Sequence, residues 1–150
     1  KKDKVVTIGY IGGVTYSRHL EDLCEIAINN DFIRVVFFGG GEAEHYLKLK
    51  YSDYKNIKFN GPFSYENLSK CYADIDVSFA CYDLCVDFHK YAAPNKFYEA
   101  LIFRKMLVVN KGVIDAEPLV NSGHAIFLDD FSDVVSSLEK VKKFNDENKL

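Results

Sequence analysis

An α/β fold built around a parallel sheet is what this sequence predicts, and three observations carry that prediction. Apolar, β-branched segments alternate with segments of helical period almost without interruption. The strand-like runs, Val5 to Ile11 and Ile33 to Phe38 above all, are apolar throughout instead of at every second residue, which marks strands buried on both faces. Helices of about 10–15 residues between strands imply parallel βαβ units. About six such strands in 150 residues predict a Rossmann-like three-layer αβα sandwich, one domain over residues 1–150.

Val5 to Ile11 is the first strand. Arg18 to Asn30 follows as a helix, with Leu20, Leu23, Cys24, Ala27 and Ile28 at helical spacing and two asparagines as stop signals. Ile33 to Phe38 is the second strand, ended by Gly39-Gly40-Gly41, and Glu42 to Lys50 is a polar helix. Ile57 to Phe59 is a short third strand. Gly61-Pro62 makes a turn, and Ser64 is placed to cap a helix running through Leu68 to Tyr72. Ile75 to Ala80 is the fourth strand, and residues 81–93 lack a clean period and read as a loop. Pro94 suits the first turn of a helix through Phe103. Met106 to Val109 and Ala125 to Leu128 are the last strands. Ser132 opens a final helix carrying Val134, Val135, Leu138, Val141 and Phe144.

Composition excludes several classes. With 48 % hydrophobic residues the chain can bury a core and is not disordered. Nineteen basic against 22 acidic side chains, a net charge of −3, lack the basic surplus of a nucleic-acid or anionic-membrane binder. No apolar run approaches the roughly 18–20 residues of a membrane span. There is no signal peptide and no initiator Met, so the chain reads as a piece of a longer protein. Cys24, Cys71, Cys81 and Cys85 read as free thiols in a reducing compartment.

Ligands of such sheets sit beyond the carboxyl ends of the strands, so the residues just after each strand matter most. After the first strand, Gly12-Gly13-Val14-Thr15-Tyr16-Ser17-Arg18 lets a ligand approach backbone and adds a permanent cation near a helix start, which suits a diphosphate; a plain tight turn is the alternative. Gly39-Gly40-Gly41 admits a ligand or, equally, a close strand-to-helix crossing. Gly61-Pro62-Phe63 offers backbone to a planar base with Phe63 or Tyr65 packed on it, or is an ordinary turn. In Pro94-Asn95-Lys96-Phe97-Tyr98-Glu99, Lys96 can reach a phosphate and Glu99 can accept from both hydroxyls of a ribose; a first-turn Glu held by the helix dipole is the alternative. Cys81, Cys85 and His89 at intervals of four lack a fourth ligand and the tighter spacing of a zinc site.

These segments together resemble the C-terminal, nucleotide-sugar-binding domain of GT-B glycosyltransferases of the large retaining family 4. Gly12-Gly13-Val14-x3-Arg18-His19-Leu20-Glu21-Asp22-Leu23 is similar to the family's Gly-Arg-Leu-x3-Lys-Gly-Leu-Asp-x-Leu. Val35 to Gly41 resembles its strand ending in Gly-x-Gly, Ile57 to Gly61 its Val-x-Phe-x-Gly, and Tyr72 to Val77 its Tyr-x-x-Ala-Asp-Val. Pro94 to Met106 resembles Pro-Asn-Lys-Leu-Phe-Glu-Ala-Met-x-x-Gly-Lys-Pro, and Gly112-x4-Glu117 resembles the Gly-Gly-x-Pro-Glu loop.

The resemblance implies one half of a GT-B fold. It implies transfer of a sugar, with retention and without a metal or other cofactor, from a nucleoside diphosphate sugar such as a UDP-sugar to a glycan or lipid-linked acceptor in cell-surface polysaccharide synthesis. Glu99 matches the ribose-binding second Glu of the family's Glu-x7-Glu, and Arg18 stands where a phosphate-binding Lys usually stands. Tyr91 replaces the first Glu and Gly13 the usual Arg, and Lys96 is placed to compensate. Arg18 and Lys96 are the expected catalytic residues. Gly12, Gly13, Arg18, Gly39, Gly61, Phe63, Pro94, Asn95, Lys96 and Glu99 are the expected donor site. The acceptor domain should precede this chain and provide any membrane contact, the location should be the cytoplasm, and this domain alone should be inactive. Two other readings stand beside it: a nucleotide-sugar 2-epimerase of the same fold, and a non-catalytic Rossmann-like binding domain.

Overall fold

The computed structural model describes residues 5–85, 95–128 and 134–148. Six strands, β1 (Val6–Ile11), β2 (Ile33–Phe38), β3 (Ile57–Phe59), β4 (Val77–Phe79), β5 (Met106–Val109) and β6 (Ala125–Phe127), form one sheet in the order β3-β2-β1-β4-β5-β6. Every pairing is parallel. The longest register runs from Val6 opposite Ile33 to Ile11 opposite Phe38. The chain leaves β1 for β2 and β3 on one side and returns to add β4, β5 and β6 on the other. The order therefore reverses between β1 and β4, the place where open α/β sheets leave a crevice.

The helices are α1 (Leu20–Ile28), α2 (Glu44–Tyr51), α3 (Leu68–Ala73), α4 (Asn95–Ile102), α5 (Glu117–Asn121) and α6 (Val134–Glu147). Because successive side chains of a strand point to opposite faces, each strand feeds two cores. Ile8, Val35, Phe37, Val77 and Val108 pack under Leu23, Cys24, Leu47, Tyr51, Val141 and Phe144 of α1, α2 and α6. Ile11, Val36, Leu107 and Val109 face Cys71, Tyr72, Phe97 and Ala100 of α3 and α4, with Leu119 and Val120 of α5 at the margin. The expected three-layer sandwich is therefore present. No helix among the described residues is long and apolar enough to cross a membrane.

Several local expectations are corrected. The first helix does not begin at Arg18: Tyr16–Arg18 is a single 3₁₀ turn, His19 takes a left-handed conformation (φ 57°), and α1 starts at Leu20. Ser64 makes no cap bond to backbone; its hydroxyl accepts from the Asn67 side chain at 3.1 Å, and Tyr65–Asn67 is a 3₁₀ turn ahead of α3. The segment read as a loop at Gly112 to Glu117 contains a 3₁₀ turn, Ile114–Ala116, that runs into α5 with Pro118 in its first turn. Arg104 after α4 also has a left-handed backbone (φ 57°). The cap at Ser132, the helix start at Pro94 and the loop beyond Cys85 lie outside the described residues.

Candidate functional site

The site begins where the parallel ladder ends. Beyond Ile11 the Gly12 N–H donates to the Phe38 carbonyl at 2.9 Å, and beyond Phe38 the Gly39 N–H donates to the Gly61 carbonyl at 2.8 Å. Val14 N–H reaches the Gly40 carbonyl at 3.1 Å, and Ala43 N–H reaches the Val14 carbonyl at 3.0 Å. The three turns after β1, β2 and β3 are thus joined backbone to backbone. Gly39 makes this possible: its φ is 131°, and a Cβ there would fall on the Gly12 carbonyl oxygen. Above the junction is an open cleft of ≈ 300 Å³ lined by Gly12, Gly13, Gly39, Gly40, Pro62, Phe63 and Tyr65. Its floor is peptide and its wall is a half-buried Phe63 and an exposed Tyr65, so it suits a flat, polar-edged ring.

Two cations stand at the β1 side of the cleft, each carried on a tyrosine ring. The Arg18 guanidinium lies 4.5 Å from the centre of the Tyr82 ring, and its Nη1 donates to Ser17 Oγ at 2.8 Å. The Lys96 ammonium, from the first turn of α4, lies 5.1 Å from the Tyr10 ring centre, and a Cβ added to Gly12 would come within 2.7 Å of its Nζ. Among the described residues no carboxylate is within ion-pair distance of Lys96. Burial pushes Lys96 down to about 8; the neighbouring Arg18 charge adds to the fall and Glu99 opposes it. Burial likewise pushes the Tyr10 hydroxyl up to about 12 while Arg18 pulls it the other way, and that hydroxyl donates to the Gly13 carbonyl. Partial burial of the Lys96 ammonium is costly in isolation, and an incoming anion offsets that cost.

Glu99 lies in the second turn of α4, past the first turn in which the alternative reading held it by the helix dipole. Its Oε1 accepts from the Tyr72 hydroxyl at 3.0 Å. Tyr72 is fully buried and stacks on Phe103, with rings 4.7 Å apart and 17° from parallel. Burial, followed by the Glu99 charge, holds the Tyr72 hydroxyl well above the usual phenol range, so it stays a donor. One oxygen of Glu99 is thereby oriented by the protein.

The structure brings Gly12, Gly13, Gly39 and Phe63 into one cleft, with Gly61 behind it, Arg18 and Lys96 beside it and Glu99 one helical turn beyond Lys96. Asn95 is the exposed first residue of α4. Pro94, Tyr91 and His89 lie outside the described residues. All four cysteines are free; Cys81 is buried against the Val108 carbonyl, whereas Cys85 is exposed. A second cavity, ≈ 210 Å³, lies across the turn beside Tyr16 and Tyr46, but Glu21, Asp22 and Asp83 are among its lining residues and oppose an anion. Sequence reading missed Tyr10, Tyr72, Tyr82 and Asn110. Tyr82 and Asn110 follow β4 and β5 within three residues, so the strand-end rule applied to them; Tyr10 and Tyr72 read as core.

No family model and no curated protein matches the sequence. Solved structures do, at low identity. HepE of Anabaena, solved with UDP and glucose, is 13 % identical over 94 % of this chain, with a TM-score of 0.67. The C-terminal domain of LpcC, a glycosyl transferase group 1 family protein from Francisella tularensis, is 15 % identical over 93 % of the chain and 77 % of its own, with a TM-score of 0.69. The catalytic domain of the cholesterol-α-glucosyltransferase from Helicobacter pylori is 12 % identical over 94 % of the chain and 93 % of its own, with the same TM-score. The chain therefore shares its fold with these glycosyltransferase domains. The chain spans 41 % of the HepE chain.

Proposed function

We propose that this chain is the donor-binding half of a glycosyltransferase, which moves a sugar from a nucleoside diphosphate sugar to a glycan or lipid-linked acceptor. The observation that carries the proposal is the pair of cations, Arg18 on Tyr82 and Lys96 on Tyr10, set against the Gly12 turn with Glu99 one turn farther along α4. A flat base lies between Phe63 and the peptides of the glycine turns. Glu99, with one oxygen fixed by Tyr72, accepts from the ribose hydroxyls. The diphosphate meets Lys96, Arg18 and the backbone at Gly12 and Gly13. As the bond to the sugar breaks, charge gathers on the leaving diphosphate, and these preorganised positive groups lower the barrier.

The structures of HepE with UDP and with UDP-glucose support a uridine donor. Retention at the anomeric carbon, the absence of a metal, a preceding acceptor-binding domain and a role in polysaccharide synthesis in the cytoplasm belong to the same proposal and rest on the motif resemblance. Calorimetry with UDP, GDP, ADP and uridine tests the core of it. UDP should bind more tightly than uridine, and Arg18→Ala should weaken UDP by about one to two powers of ten, as expected for a charge-assisted contact of about 1.5–3 kcal/mol. Uridine binding should hardly change. A wild-type chain that ignores every nucleoside diphosphate overturns the reading.

A further inference from the structure

Resting on that nucleotide reading, we infer that Asn110 is a positioning residue: its side-chain amide holds the backbone of Tyr82 from both sides and so fixes the aromatic platform that sets where Arg18 meets a diphosphate. The ladder between β4 and β5 ends with Phe79 opposite Val108, followed by Ala80 N–H to the Val108 carbonyl at 2.8 Å. Past that rung the backbones part, and the Asn110 side chain takes over. Its Oδ1 accepts from the Tyr82 N–H at 2.8 Å, and its Nδ2 donates to the Tyr82 carbonyl at 2.6 Å. A carboxamide has one acceptor and one donor group side by side, as a peptide edge does, and an apolar or acidic side chain cannot make both bonds.

The next residue ties the segment to its other neighbour. Asp83 N–H donates to the Ser17 carbonyl at 2.9 Å, and the same residue's hydroxyl receives the Arg18 guanidinium. Residues 82–83 therefore bridge the end of β5 and the turn that bears Arg18. The Tyr82 ring is buried and meets Phe97 of α4 edge-on, at 6.4 Å and 87°. Its backbone is set by Asn110, its ring plane by Phe97, and Arg18 lies over its face. A cation held on a ring face keeps a fixed place.

The test compares Asn110→Ala and Tyr82→Leu by melting temperature, by UDP and uridine affinity, and by the ring-current shift of the Arg18 side-chain protons in NMR spectra. Asn110→Ala and Tyr82→Leu should each weaken UDP by about tenfold with uridine within about twofold, the loss expected of one misplaced charge-assisted contact. Both should move the Arg18 signals toward their unshifted positions. A purely structural Asn110 predicts a lower melting temperature with the ratio of UDP to uridine affinity and the Arg18 signals unchanged, and that result overturns the inference. Should Asn110→Ala fail to fold, Asn110→Asp keeps the acceptor for Tyr82 N–H and carries the same comparison. If the wild-type chain does not bind UDP, the nucleotide reading falls and the inferred purpose of Asn110 with it. Arg18 signals that ignore Asn110→Ala sink the placement itself, whatever UDP does.

Discussion

The turns after β1, β2 and β3 and the segments after β4 and β5 border one edge of one sheet, yet they are built from different materials. The first group is peptide: glycines joined by N–H to carbonyl bonds at 2.8–2.9 Å, with almost no side chain at the junction. The second group is side chain: Tyr82 held by Asn110, and beside it the Lys96 and Glu99 that α4 brings in. A peptide surface offers a ligand shape and hydrogen bonds and leaves no room for added volume. A side-chain surface offers charge, and substitutions change its chemistry before they change its fold. The two halves should therefore fail in different ways.

A single methyl group gives the largest contrast. Gly39→Ala puts a Cβ onto the Gly12 carbonyl oxygen at a φ of 131°, so the junction must open. The expected loss is about 3 kcal/mol or more of folding stability in urea denaturation, since strain adds to the broken backbone bonds. Gly61→Ala, at φ 75° with open space around the new Cβ, should cost only the left-handed penalty of about 1–2 kcal/mol. Equal losses at the two positions would show that the junction is not the tight element described.

On the side-chain half, Glu99→Gln should leave folding alone, because its Oε1 still accepts from Tyr72, and weaken UDP by about one to two powers of ten, from about 1.5–3 kcal/mol of charge-assisted bonding. An affinity within about twofold of wild type removes the ribose role from Glu99.

The smallest effect sharpens the comparison most, because it separates charge from volume at Lys96. Its value in the fold is pushed down from 10.5 to about 8 by burial, so in the window between them the unfolded chain binds more protons. Stability should rise with pH across that window, and below about 8 the full cost of the buried charge is present. Lys96→Met should raise the melting temperature at pH 7 by about 3–6 °C, and the gain should shrink toward pH 10. In the same window wild-type UDP affinity should fall as the cation is lost. Parallel melting curves for the two proteins from pH 7 to 10 would exclude burial as the cause.

What the sequence disclosed divides along similar lines. Strands announce themselves by continuous apolar runs, so β1, β2 and β5 are placed to within a residue. Glycines and charges next to strand ends pointed to the cleft. Short elements without a period did not show: α5 has five residues and a proline in its first turn, and the 3₁₀ turn at Tyr16–Arg18 looks like the start of a helix. Tyr10 reads as core because a tyrosine in an apolar run satisfies the pattern of burial, Tyr82 reads as part of a loop, and only the fold places cations over their rings. Asn110 lies just past a strand end, but nothing in the sequence pairs it with a residue 28 positions away.

His19 and Arg104, the two non-glycine residues with left-handed backbone among those described, stand where the resembled motifs carry glycine. Each conformation costs about 1–2 kcal/mol for a residue with a Cβ, and the surrounding packing holds it all the same. A glycine in a motif is a statement about a dihedral angle, written in the residue that meets it most cheaply. At these two places the chain meets the demand of the turn with a side chain attached, and the turn, not the residue type, is what the packing selects.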